Sequence, residues 1–106
     1  MQLQISGQNV EVTQGLRDHV ETKLRRTDRL FENVTKLTVV LSVEKLQHKA
    51  DGTLAAAGRV LHADANEADM YASIDVMFEK LDSQLRKHKE KLTDHHQAEG
   101  RQQRYG

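Results

Sequence analysis

Apolar residues in this chain of 106 residues follow two different spacings, and the change between them limits which elements it can form. The spacing is helical over about 13–32, where Thr13 is a good N-cap, and again over about 67–92, where Asn66 is the candidate N-cap. From Lys36 onward, between these segments, apolar and polar residues alternate, which is typical of strands with one buried face. The predicted buried stripes are Leu16, Val20, Leu24, Thr27, Leu30 and Phe31 in the first helix, and Met70, Ile74, Met77, Phe78, Leu81, Leu85 and Leu92 in the second.

Four strands are predicted around the two helices. The first is short, over 3–5, and the second is the long alternating segment. An Asp-Gly pair at 51–52 predicts a turn, which is followed by a weaker, Ala-rich strand over 53–57. Gly58 then predicts a second turn before a last strand over 59–65. The predicted order of elements is therefore βαβββα.

This order restricts the topology of the sheet. A strand, helix and strand in succession form a right-handed crossover, so the first two strands should be parallel. Tight turns make the remaining neighbours antiparallel. We therefore predict the α+β fold class, with a four-stranded mixed sheet and two helices on one face. The other face should be left to solvent or to a partner.

Composition narrows the possible functions. Sixteen Lys and Arg balance sixteen Asp and Glu, so the net charge alone does not indicate a polyanionic partner. The absence of cysteine excludes disulfide scaffolds and thiolate metal sites. No secretion signal or membrane span is recognised, so we expect a cytoplasmic protein with no membrane partner. The length predicts one domain over 1–92, and residues 93–106 lack apolar periodicity, which indicates a mobile tail.

The cations of both predicted helices are segregated. On a helical wheel, one flank of the second helix carries Lys80, Lys87 and Lys91 without a carboxylate, while Arg86 and Lys89 lie among acidic residues on the other flank. One flank of the first helix carries Lys23, Arg26 and Arg29. Such rows suit phosphate groups, because each phosphate contact releases condensed counterions. Compensation of the helix dipole is the alternative, but it acts within the last turn, and the row of the second helix begins about three turns earlier.

Histidine and acidic residues offer a different hypothesis, a small enzyme or a metal-dependent protein. The adjacent His95 and His96 lack the one-face spacing and carboxylate support of a metal site. Asp64, Glu67 and Asp69 precede or open a helix, where the dipole favours negative charge. We therefore expect no catalytic activity, no metal and no cofactor.

Several segments resemble a known family. They are the sequence DMYASID over 69–75, the Lys80-Leu81 and Gln84-Leu85 pairs, the KHKEK run over 87–91, the opening MQLQISG, and VVLSVEK over 39–45. In this order they are similar to the short bacterial ribosome hibernation promoting factors, which belong to the ribosome-associated inhibitor and sigma-54 modulation protein family. The resemblance covers residues 1–92.

The resemblance implies a fold similar to double-stranded RNA binding domains. It also implies binding to the small ribosomal subunit, on 16S rRNA at the decoding region, where the protein would block messenger RNA and tRNA in stationary phase. The 70S ribosome would be stored in an inactive form. Short members favour ribosome dimers together with a separate ribosome modulation factor.

The family's basic contact residues can be carried over by position. In this sequence they are Lys23, Arg26, Lys80, Lys87, Lys89 and Lys91. Arg29 lies on the same row of the first helix and is added as an RNA-binding candidate. Arg86 is a further candidate, whose role the resemblance leaves open.

The tail over residues 93–106 leaves open whether ribosomes are stored as dimers or as inactive 70S monomers. A related paralogue, the ribosome-associated inhibitor, has a longer acidic tail and opposes ribosome dimers. Residues 93–106 hold two acidic and two basic residues, so they are neutral. The sequence favours the dimer-promoting type over a factor that holds inactive 70S monomers. A generic double-stranded RNA binder is a third hypothesis.

Overall fold

A computed structural model of the chain describes residues 1–30, 34–56 and 58–97, with the side chains as far as Lys87. The elements are β1 (Gln2–Gln8), α1 (Gln14–Leu30), β2 (Val34–Glu44), β3 (Gln47–Ala56), β4 (Arg59–Glu67) and α2 (Met70–Gln97). The sheet has the order β1-β2-β3-β4, with β1 parallel to β2 and the other neighbours antiparallel. The βαβββα order and the mixed sheet are both confirmed.

The core lies between one face of the sheet and the two helices. Alternate residues of β2, β3 and β4 are buried, while their neighbours point to the open face. The buried residues are Leu16, Val20, Leu24 and Thr27 of α1, Leu37, Val39, Leu41, Ala50, Leu54, Ala63 and Ala65 of the sheet, and Met70, Ile74, Met77, Phe78, Leu81 and Leu85 of α2. Leu30 is 49% exposed, so its predicted place in the buried stripe is wrong. Phe31 lies outside the described residues.

The two central strands form a longer hairpin than predicted. β3 runs without a break through Asp51 and Gly52, so the turn predicted there is wrong. The chain turns instead at Lys45 and Leu46, where Lys45 has φ 59°. Gly52 serves packing, because a Cβ at this position would lie 2.6 Å from the sulfur of Met77 in α2. The turn at Gly58, with φ 75°, is confirmed.

Different residues cap the two helices. Thr13 caps α1 as predicted, since its Oγ1 accepts a hydrogen bond from the N–H of Leu16 at 3.2 Å. Asp69 caps α2, because its Oδ2 accepts a hydrogen bond from the N–H of Ala72 at 3.3 Å. The prediction of Asn66 as the cap is wrong. This residue still belongs to β4, and its amide donates to Gln47 across the sheet.

The cap leads to a stability prediction. Asp69→Ala should lower the free energy of unfolding by about 1 kcal/mol, because the N–H of Ala72 loses its acceptor. For a domain of this size we expect the melting temperature to fall by about 4–8 °C. Asn66→Ala is the matched control and should change it little. An equal loss from both variants in thermal unfolding would contradict the assignment of the cap.

The second helix is longer than predicted. α2 continues to Gln97, five residues past the predicted end at Leu92, so residues 93–97 are helical where a tail was predicted. Its last buried residue among the described side chains is Leu85. Residues 98–106 lie outside the described residues, as do the side chains of Lys89, Lys91 and Leu92.

Candidate nucleic-acid interface

The two helices run side by side in the same direction. His19 of α1 contacts Asp75 of α2, and eight residues later Thr27 contacts Asp82. Because the contacts advance together along both helices, their C-terminal halves lie at the same end of the domain. The cations that the sequence places late in each helix are therefore brought to one end.

The predicted row of the first helix faces α2. Lys23 Nζ lies 3.3 Å from Asp75 Oδ1, and Arg26 lines the groove between the helices. The row is free of carboxylates on its own helix, as predicted, but α2 places carboxylates opposite it. Lys23 is thus already paired with a carboxylate of α2.

Lys80, the first residue of the predicted row of the second helix, lies on the far side of α2, along β4. Lys80 Nζ donates to the carbonyl oxygen of Asp64 at 2.8 Å, and the Gln84 amide donates to that of His62 at 2.9 Å. These are carbonyls of an edge strand. Lys80 keeps two further N–H donors for an external acceptor. The two rows therefore flank α2 on opposite sides and do not form one continuous strip.

A groove of about 270 Å³ separates the helices. We call it the interhelical groove; it is lined by Lys23, Arg26, Thr27, Asp75, Phe78, Glu79, Asp82 and Arg86. The sequence analysis placed acidic residues together with Arg86 on one flank of α2, and in the structure three of them, Asp75, Glu79 and Asp82, line this groove beside α1. The groove carries three cations and three carboxylates, so its charge is balanced.

Polar contacts across this groove were missed by the sequence analysis. His19 Nε2 lies 2.7 Å from Asp75 Oδ1, and the Thr27 hydroxyl donates to Asp82 Oδ1 at 2.9 Å. The His19 ring also meets the Tyr71 ring edge to face, with centroids 5.0 Å apart. The available indication was Thr27, a polar residue within an apolar stripe. These contacts hold α1 at a fixed position relative to α2.

Asp75 is shared by two donors, and its pKa reflects this. Burial raises the pKa of this carboxyl and is the largest single influence, but hydrogen bonds from His19 and Lys23 and their charges together outweigh it. The pKa is therefore held below its ordinary value of 3.8. A depressed pKa means that the ionised form is favoured in the folded protein.

The sign of this shift gives a pH prediction. The contribution of Asp75 to stability is present above the ordinary carboxyl pKa and is lost as the pH falls from about 4 through the lower folded value. Asp75→Asn should therefore unfold with a weaker pH dependence below pH ~4, as measured by urea titrations at a series of pH values. Asp18→Asn, an exposed carboxylate on the same domain, is the control. Equal pH profiles for wild type and Asp75→Asn would contradict this role.

Several cations have no ion pair among the described side chains, among them four in the C-terminal halves of the described helices. These four are Arg26, Arg29, Arg86 and Lys87, and we call them the basic end. All four are exposed, and Arg26 and Arg86 line the interhelical groove from opposite helices. Lys89 and Lys91 follow on the same helix, but their side chains lie outside the described residues. The basic end is the part of the described surface best suited to bind phosphates.

The open face of the sheet differs from the basic end. His62 Nε2 lies 2.6 Å from Asp51 Oδ1, and Lys49 Nζ lies 3.7 Å from Asp64 Oδ2. Both His62 and Lys49 are thus already in contact with carboxylates. Among the described residues no group of three His, Asp or Glu could hold a metal ion. No helix in the described part of the chain is long and apolar enough to cross a membrane.

The sequence matches a known family over most of its length. Residues 3–93 match the family described as sigma 54 modulation protein / S30EA ribosomal protein. The chain belongs to this family. It is 53% identical over 91 residues to the ribosome hibernation promoting factor of Pseudomonas putida, covering 86% of this chain and 89% of the relative. It is 46% identical over 95 residues to that of Escherichia coli K12, covering 90% of this chain and all of the relative.

Solved structures give the same fold. A ribosomal subunit interface protein from Coxiella burnetii aligns with a TM-score of 0.78 and 30% identity, over 84% of this chain and 98% of the other. The N-terminal domain of Thermus thermophilus Protein Y aligns with a TM-score of 0.77 and 31% identity, over 83% and 99%. The predicted family and fold are therefore both confirmed.

Proposed function

We propose that this protein is a ribosome hibernation factor of the cytoplasm, which binds 16S rRNA of the small ribosomal subunit and acts by occupying its site, not by catalysis. The observation that carries the proposal is the basic end, where the two parallel helices expose Arg26, Arg29, Arg86 and Lys87 without internal ion pairs. The names of the relatives support the ribosome as the partner.

The contacts are made mainly to RNA phosphates. Arg26 and Arg86 present planar guanidinium groups from opposite sides of one groove, and such groups pair with phosphate in a bidentate manner. The full sequence has only two tyrosines and no tryptophan, so recognition depends on backbone shape more than on base stacking. Lys80, on the β4 side of α2, is a further candidate contact, as are Lys89 and Lys91.

At the decoding region, such a protein excludes messenger RNA and tRNA by occupying their volume. The fixed position of α1 against α2 supports this, because a preorganised surface loses little entropy when it binds. Inactive ribosomes would then be stored, and ribosome dimers would form together with a ribosome modulation factor. The alternative outcome is storage as inactive 70S monomers.

Sedimentation of ribosomes with the purified protein tests this function. The protein should co-sediment with 30S and 70S particles, and four to six phosphate contacts should reduce affinity by about 150- to 2,000-fold between 50 and 200 mM salt. Dimer peaks would support the dimer-promoting type, and unchanged 70S peaks would support the alternative. Absence of the protein from all ribosomal fractions at low salt would refute the proposal.

A further inference from the structure

One carboxylate in the interhelical groove has no structural partner. Asp75 contacts His19 and Lys23, and Asp82 accepts a hydrogen bond from Thr27. Glu79 also lines the groove, but it is exposed and has neither a hydrogen bond nor an ion pair among the described side chains. It therefore stands unneutralised beside the cations that we assign to RNA.

The position of Glu79 is unfavourable for the helix itself. Four residues before it lies Asp75 and three after it lies Asp82, and both are acidic. Like charges at these spacings destabilise a helix, and neither Val76 nor Ser83 offers a cation in return. A residue that weakens its own helix and stabilises no neighbour indicates a role outside the fold.

We propose that Glu79 is a selectivity residue, which repels phosphates from the interhelical groove and so suppresses binding to RNA other than the ribosomal site. This inference rests on the proposed function. Affinity for arbitrary RNA comes from unspecific phosphate contacts, and a carboxylate beside the cations cancels part of that attraction. Like charges placed against a wrong partner give specificity at the cost of some affinity.

The ribosomal site escapes most of this repulsion. A specific complex holds phosphates at fixed places, so they can bind the guanidinium groups of Arg26 and Arg86 at positions away from Glu79. A plain duplex samples many positions, including those that bring a phosphate close to Glu79. The zero net charge of the chain fits the same design, because the whole protein then has little attraction for RNA in general.

Binding of wild type, Glu79→Gln and Glu44→Gln tests the inference. The probes are a plain RNA duplex of about 16 base pairs, followed by fluorescence polarisation, and purified small subunits, followed by sedimentation. Glu44 is the matched control: it is exposed, its replacement removes the same charge, and it ends β2 about 30 Å from the start of that strand near the basic end.

We expect Glu79→Gln to bind the duplex about three- to tenfold more tightly, as removal of a unit charge close to a phosphate predicts. Its affinity for small subunits should change less than twofold, and Glu44→Gln should change neither. The melting temperature of Glu79→Gln should be equal to or above that of wild type, because a like-charge contact is removed. A lower melting temperature would indicate a structural role instead.

Two results would overturn the inference. One is an equal gain in affinity for both probes, and the other is an equal gain from Glu79→Gln and Glu44→Gln. Failure of the proposed function looks different, since wild type would then be absent from the small-subunit fraction whatever the duplex affinities are.

Discussion

Replacing Arg26 and Lys87 together with glutamate should lower the affinity for small ribosomal subunits by about 100- to 1,000-fold. The double variant changes four unit charges, and each contributes on the order of 1 kcal/mol next to a phosphate at a protein surface. Both residues are exposed and have no ion pair among the described side chains, so the fold should be unaffected. Sedimentation with 30S subunits measures the affinity, and circular dichroism measures the helix content.

A second double variant controls for the change in net charge. Arg17→Glu with Lys45→Glu alters the charge equally, but these residues lie near the start of α1 and at the β2–β3 turn, away from the basic end. We expect less than a tenfold loss for this pair. If the two double variants lost affinity to the same extent, long-range charge would explain the binding and the basic end would not be the interface.

Gly52→Val should lower the free energy of unfolding by about 2–3 kcal/mol. A Cβ at this position would lie 2.6 Å from the sulfur of Met77, which is fully buried, so α2 has to shift or Met77 has to leave its rotamer. Urea unfolding measures the loss. The result is not obvious from propensity, because valine favours strands and glycine weakens them.

Met77→Ala provides the rescue for this variant. In the double variant the added methyl groups would occupy the space of the removed side chain. The double variant should therefore lose clearly less stability than the sum of the losses of the two single variants. Thr53→Val is the control on the open face of the same strand. Strict additivity of Gly52→Val and Met77→Ala would mean that the two positions do not compete for space.

The same glycine shows where sequence analysis succeeded and where it could not. The helical stripes, the alternating strand and the crossover rule together predicted the element order and the parallel pair, because they depend on periodicity over many residues. Asp51-Gly52 was assigned to a turn on local chemistry alone. Whether a glycine serves a turn or makes room for a helix depends on tertiary contacts, which no local pattern contains.

Prediction of the candidate interface from the sequence had a similar limit. A helical wheel groups the cations of each helix, but it cannot show what lies opposite them. Lys23 was expected to be available and is paired with Asp75, whereas Arg86, placed on a mixed flank, belongs to the exposed basic end. The relative position of two helices is set by contacts such as that of Thr27 with Asp82, which involve residues 55 apart in sequence.

The side chains of α2 that contact β4 also affect whether copies of the protein can pair edge to edge through their sheets. The carbonyls of His62 and Asp64 already accept hydrogen bonds from Gln84 and Lys80, which leaves fewer acceptors for a strand from another molecule. The other edge of the described sheet is β1. Open-ended edge-to-edge pairing of copies needs a free edge on both sides of each sheet, and the contacts from α2 to β4 therefore oppose it.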